Sequence, residues 1–98
     1  MKNINIIARW QVQEGKLEEV LSLLPEAVTK SREEAGVILY QVTQDRSDSN
    51  TIILIEEYKD EAALDEHRNS EHFKTIVVEK IVPLLANREV IAANRLPL

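Results

Sequence analysis

Three runs, INIIARWQV (4–12), VILYQVTQ (37–44) and TIILIEEY (51–58), constrain the fold of this chain most, because each is rich in β-branched residues and is apolar at consecutive positions. They read as strands. A sheet with one wet face alternates apolar and polar residues, whereas consecutive apolar positions belong to sheets covered on both sides. Both faces therefore need a cover.

The segments between the runs carry a helical period. Leu17, Val20, Leu21, Leu24, Ala27, Val28 and Ser31 recur at steps of three and four after the Gln13-Glu14-Gly15 turn, and Gly36 is placed to act as a left-handed helix cap. Pro25 removes one backbone bond, which predicts a kink or a break near Leu21 to Pro25. The polar DRSDSN stretch joins the second and third strands as a hairpin. Asp60 is placed to cap a short helix with Ala63, Leu64 and His67 on one side, and Ser70 to cap a further helix whose stripe is Phe73, Ile76, Val77, Ile81, Leu84 and Leu85. REVIAANRL (88–96) closes the chain as a weaker strand.

This order predicts one domain over residues 1–98, an α+β fold with a ferredoxin-like antiparallel four-stranded sheet and helices on one face. Helices can cover only that face. A second copy is the simplest cover for the other, so the chain is expected to be a homodimer joined sheet to sheet, with Ile53 in the interface.

Charge and composition exclude several classes of function. Lys plus Arg number 12 against Asp plus Glu 17, a net charge of −5 with no basic cluster, so neither nucleic acid nor an anionic membrane is expected as a partner. Without cysteine there is no disulfide, thiolate nucleophile or cysteine metal site. The opening MKNINIIARWQ lacks an apolar stretch ahead of a small-residue cleavage site, and no segment approaches the length of a membrane span; the expected location is the cytoplasm.

Chemistry concentrates in EEYKDEAALDEHRNSEHF (56–73). Glu56-Glu57-Tyr58, Asp60, Ala63-Leu64, His67, Ser70 and His72-Phe73, together with the Gly15 turn, Glu34-Ala35-Gly36 and Pro83-Leu84-Leu85, resemble the antibiotic biosynthesis monooxygenase family over nearly the full chain. The resemblance implies a dimeric α+β barrel on a ferredoxin-like plan. Relatives in that family include cofactor-free quinol monooxygenases, polyketide-oxidising enzymes, haem-degrading enzymes and an isomerase of phosphorylated autoinducer-2, so the motif identifies the family better than the substrate.

His67 is the first candidate catalytic residue. Its spacing from Ala63 and Leu64 turns it toward the sheet, where an imidazole beside an apolar pocket can take a proton from a phenolic or enolic substrate near neutral pH; the anion then passes an electron to dioxygen. Turnover should fall as pH drops through about 6 to 7. The competing reading is a packed histidine bonded to a backbone carbonyl. Glu56, a carboxylate late in an apolar strand, is the second candidate: it could orient a ligand or an imidazole, or pair with Arg9 or Arg95 and fix strand register. Glu57 should face the other way, and His72 should be exposed at a helix start.

Phe73 and Ile55 are expected as apolar walls, with Trp10 and Tyr58 in the substrate-binding set; Trp10, Tyr40, Tyr58 and Phe73 also serve as core or interface anchors. No metal site is expected, since His67 and His72 lie five residues apart across a helix break and lack His-x-x-x-His spacing. The haem-degrading branch uses Asn, Trp and His where this chain has Ala8, His67 and Val77. The pocket tyrosines of the isomerase branch correspond to Ile55 and Phe73, which leaves a more apolar pocket suited to a quinol.

These residues and the resemblance lead to a cofactor-independent monooxygenase or oxidase of a quinol-like or polyphenolic compound, with His67 as base. The protein should be colourless and metal-free, needing only dioxygen and a small-molecule substrate. Two alternatives stay open: an isomerase of a small enolisable carbonyl compound, and a non-catalytic dimer that binds a small ligand.

Overall fold

The computed structural model describes residues 3–98; the first two residues of the MKNINIIARWQ opening lie outside them. Strand β1 (Ile4–Val12) is followed by helix α1 (Leu17–Arg32), the hairpin β2 (Val37–Gln44) and β3 (Thr51–Tyr58), helix α2 (Glu61–Asn69), helix α3 (Phe73–Ile81) and strand β4 (Leu85–Asn94). All pairings are antiparallel in the order β2-β3-β1-β4. This is the ferredoxin-like α+β arrangement, with the helices on one face.

Residue parity in the strands sorts the two faces. Ile6, Ala8, Trp10 and Val12 of β1 and Ile52, Leu54, Glu56 and Tyr58 of β3 are buried, and the register sets Ile6 opposite Glu56 and Ala8 opposite Leu54. Val20, Leu24 and Ala27 of α1 and Ile76, Val77 and Ile81 of α3 pack onto that face. The intervening residues Ile7, Ile53 and Ile55 are half-buried, while Leu39 and Ile91 are 40% and 59% exposed. Consecutive apolar residues in the sequence thus become one covered face and one face that the chain alone leaves open to water.

Three local expectations need correction. The break near Pro25 does not form, and helix α1 runs continuously through it; the proline costs one bond to Leu21, and both residues lie on the solvent side, where freed backbone can be hydrated. Gly36 is not the left-handed residue: among the described residues only Gly15 has a positive φ, 82°. Gly36 is needed because a Cβ there would collide with Cβ of Ala63 in α2. The last helix stops at Ile81, a 3₁₀ turn containing Pro83 spans Val82–Leu84, and β4 starts at Leu85, so Leu84 and Leu85 belong to the turn and strand. Winding near that end is wide, with the Val82 N–H bonded to the Val77 carbonyl.

The predicted caps form. Asp60 accepts a 2.8 Å bond from the Ala63 N–H, and Ser70 Oγ accepts from the Phe73 N–H at 3.2 Å while donating to the His67 carbonyl. These three bonds fix where α2 begins and how the chain turns into α3. They thereby set the inward face that carries His67.

Candidate functional site

Within α2, Ala63, Leu64 and His67 form the inward stripe, and His67 is only 2% exposed. Its ring centroid lies 5.1 Å from Phe73, 5.3 Å from Tyr58 and 5.5 Å from Tyr40, so the imidazole stands inside an aromatic collar. Nδ1 is 2.9 Å from Glu34 Oε2. A carboxylate only accepts, so Nδ1 carries the hydrogen; Nε2 is buried with no partner among the described residues. Burial pushes the His67 pKa below the usual histidine value, and Glu34 opposes that drop. The neutral ring therefore presents an Nε2 lone pair.

Glu34 was not a candidate from the sequence. It sits in the turn between α1 and β2, where its N–H bonds the Ser31 carbonyl and its own carbonyl accepts from Val37. The same Oε2 also lies 2.6 Å from His72 Nε2. His72, expected at an exposed helix start, is instead largely buried against Glu34, because the turn at Ser70 folds α3 back across the end of α1. The histidines are thus brought together despite the helix break. Glu34, His67 and His72 hold one metal-type ligand atom each within 4.8 Å. Both short contacts converge on a single oxygen, the pattern of a carboxylate shared by two N–H donors, and an ion there would have to replace those protons.

Glu56 lies on the covered face, 6% exposed, and accepts a 2.6 Å bond from the Tyr58 hydroxyl. It pairs with neither Arg9 nor Arg95: Arg9 reaches Glu89 at 3.8 Å, and Arg95 reaches Glu57 at 3.1 Å on the opposite face, as expected for Glu57. Burial raises the Glu56 carboxyl to about 7, opposed by the Tyr58 bond and the charges of Arg68 and Arg88. Burial and the Glu56 charge raise the Tyr58 phenol.

A cavity of about 330 Å³ opens between the sheet and α2. Ala8 and Leu54 form apolar floor, Glu56 and His67 supply polar groups, Trp10, Tyr40 and Phe73 contribute aromatic wall, and the exposed Arg68 and Arg88 stand at the rim. Trp10 Nε1, on another wall residue, is likewise buried with no partner among the described residues.

Of the expected wall residues, Phe73 and Trp10 line the cavity. Tyr58 lies behind it, holding Glu56. Ile55 is on the other face of the sheet, since β3 turns Leu54 and Glu56 toward the helices and Ile53 and Ile55 away. Ile55 therefore adds no apolar surface to the pocket, and of the two positions only Phe73 lines it. Arg88 and Tyr40 went unrecognised because only strand register, across β4-β1 and β2-β3, brings them to the cavity.

Residues 3–79 match the family model described as antibiotic biosynthesis monooxygenase. The chain is similar to YcnE of Bacillus subtilis, provisionally named a monooxygenase: 35% identity over 69 residues, covering 70% of this chain and 73% of that protein. It is likewise similar to Rv0793 of Mycobacterium tuberculosis, also provisionally named a monooxygenase, at 31% identity over 71% of this chain and 68% of that one. The crystal structure of PA3566 from Pseudomonas aeruginosa superposes with a TM-score of 0.90 at 34% identity, covering 98% of this chain and 96% of the other.

Proposed function

The chain belongs to the antibiotic biosynthesis monooxygenase family, and from that premise we propose that it oxidises a small quinol-like or polyphenolic compound with dioxygen, without a cofactor and with His67 as general base. The observation that carries this reading is the buried His67 Nε2, left without a partner on a residue of the cavity wall while Nδ1 is held by Glu34. A phenolic O–H placed against Nε2 gives up its proton, and the resulting anion passes an electron to dioxygen. The substrate supplies every electron: a quinol and dioxygen balance to a hydroxyquinone and water, or to a quinone and hydrogen peroxide.

The other residues fit that role. The cavity volume suits a compound of one or two rings. Trp10 and Phe73 offer flat apolar surfaces, Glu56 a hydrogen-bonding group that orients the ring, and Arg68 and Arg88 a positive rim that favours the anion. The chain pairs with a second copy through the face of Ile7, Ile53 and Ile55, which leaves each cavity within its own subunit.

The two rim arginines also favour a second reading, proton transfer on an anionic enolisable carbonyl compound, with the same His67 as base. Oxygen uptake with a panel of quinols decides between them. The oxygenase reading expects uptake with at least one quinol. No uptake across the panel, together with exchange of a carbon-bound hydrogen for deuterium under nitrogen in a small keto-phosphate, would replace it with the isomerase.

A further inference from the structure

Glu34 stands outside the cavity wall, yet one of its oxygens contacts both histidines of the chain: Oε2 is 2.9 Å from His67 Nδ1 and 2.6 Å from His72 Nε2. Its side chain is 14% exposed, as is that of His72, and its other oxygen is buried with no partner among the described residues. A free imidazole favours its proton on Nε2, the tautomer that would leave no lone pair for a substrate at this cavity. Something must hold the proton on Nδ1. Glu56, for which the sequence left open orienting a ligand or an imidazole or pairing with an arginine, is bonded to Tyr58.

We propose that Glu34 is the positioning residue of the base and His72 its clamp, so that His67, Glu34 and His72 act as one unit behind the cavity. The carboxylate holds the hydrogen on Nδ1, keeps the Nε2 lone pair available and faces the positive charge that forms when Nε2 takes a proton. His72 donates to the same oxygen and stops the carboxylate from rotating away. The turn after α1 supplies Glu34 and the start of α3 supplies His72, so three separate elements must dock before the base is set. This proposal rests on the reading of His67 as the base, but it concerns the ring of the resting protein and is tested without turnover.

The test is long-range ¹H–¹⁵N spectroscopy of the imidazoles in the full-length protein and its variants between pH 5 and 8. Groups facing His67 are Glu34, His72, its neighbour Arg68, Tyr40 from β2, Glu56 and Tyr58 from β3, and Arg88 across the cavity. In the wild-type protein His67 should carry its hydrogen on Nδ1 with Nε2 bare. Glu34→Ala should shift the tautomer ratio toward Nε2–H by about tenfold or more, and His72→Asn by a few-fold. Glu34→Gln, whose amide oxygen still accepts, should keep the Nδ1–H form while the ring protonates at lower pH than in the wild type, since the charge opposing the effect of burial is gone. An Nε2–H ring in the wild type, or an unchanged tautomer in folded Glu34→Ala and His72→Asn, would overturn the proposal. So would stoichiometric zinc uptake by chelator-treated protein with loss of the Nδ1–H signal, which would make the cluster a metal site. Loss of turnover in His67→Asn with no tautomer change in the Glu34 variant would sink the positioning role and leave the base intact.

Discussion

The two faces of the sheet are built from neighbouring residues of the same strands and have opposite characters. The covered face carries aromatic wall and one acid, Glu56, with the His67 imidazole across the cavity; the uncovered face sets Ile7, Ile53 and Ile55, edged by Leu39 and Ile91, among charged neighbours such as Arg9 and Glu57. Leu54 and Ile55 are adjacent in an apolar run, yet one forms the cavity floor and the other faces away. Strand parity, not hydrophobicity, divides the cavity-lining face from the open one.

The comparison breaks first if the uncovered face is not an interface. Wild-type protein should scatter light as a dimer at micromolar concentration, and Ile53→Lys should give monomers or unfolded chains, because a lone charge buried there costs several kcal/mol. A wild-type mass of one 11.2 kDa chain would reject the pairing. An unchanged dimer in the variant would place the interface elsewhere.

The covered face is sharpened by its acid. Glu56 has a folded pKa of about 7 against a reference of 4.5, so the folded state binds its proton more tightly. Stability from this group is therefore greatest below about 4.5 and is lost as pH rises toward 7, an effect on the order of 3 kcal/mol. Glu56→Gln keeps an acceptor for Tyr58 and should unfold at higher urea than wild type at pH 8, with the gap closing at pH 4.5. No pH dependence of that gap would mean that Glu56 is solvated.

Two smaller effects separate packing from binding. Gly36→Ala should cost about 1 to 3 kcal/mol in urea unfolding, because the added methyl meets Ala63; a neutral result would show that α2 shifts freely. Phe73→Ala should lower kcat/KM on an accepted quinol by about tenfold with the dimer intact, whereas Ile55→Ala should weaken the dimer and leave turnover within about twofold. Reversed effects would exchange the two faces.

Much of this was readable from residue types and spacing. Asp60 and Ser70 cap as their spacing indicates, and the Ala63, Leu64 and His67 stripe turns inward as three- and four-residue steps require. Strand facing was not readable in TIILI, since a run apolar at both parities carries no alternation signal; Glu56 and Tyr58, at the end of the run, share the parity that proves to be covered. Glu34 and His72 were out of reach for another reason. Their contact spans 38 residues and depends on how α3 docks across the end of α1, which local pattern does not encode.

The central claim is that the covered face runs its chemistry through a neutral, buried His67. The direct test is oxygen uptake on one accepted quinol by wild-type protein and His67→Asn from pH 5 to 8. Because burial lowers the His67 pKa, wild-type turnover should persist below pH 6.5 and decline only at lower pH, instead of falling through the 6 to 7 range of an ordinary histidine. The variant, folded and dimeric, should be slower by roughly 10² to 10⁴ at every pH where wild type is active. Equal turnover by the two proteins would contradict the account.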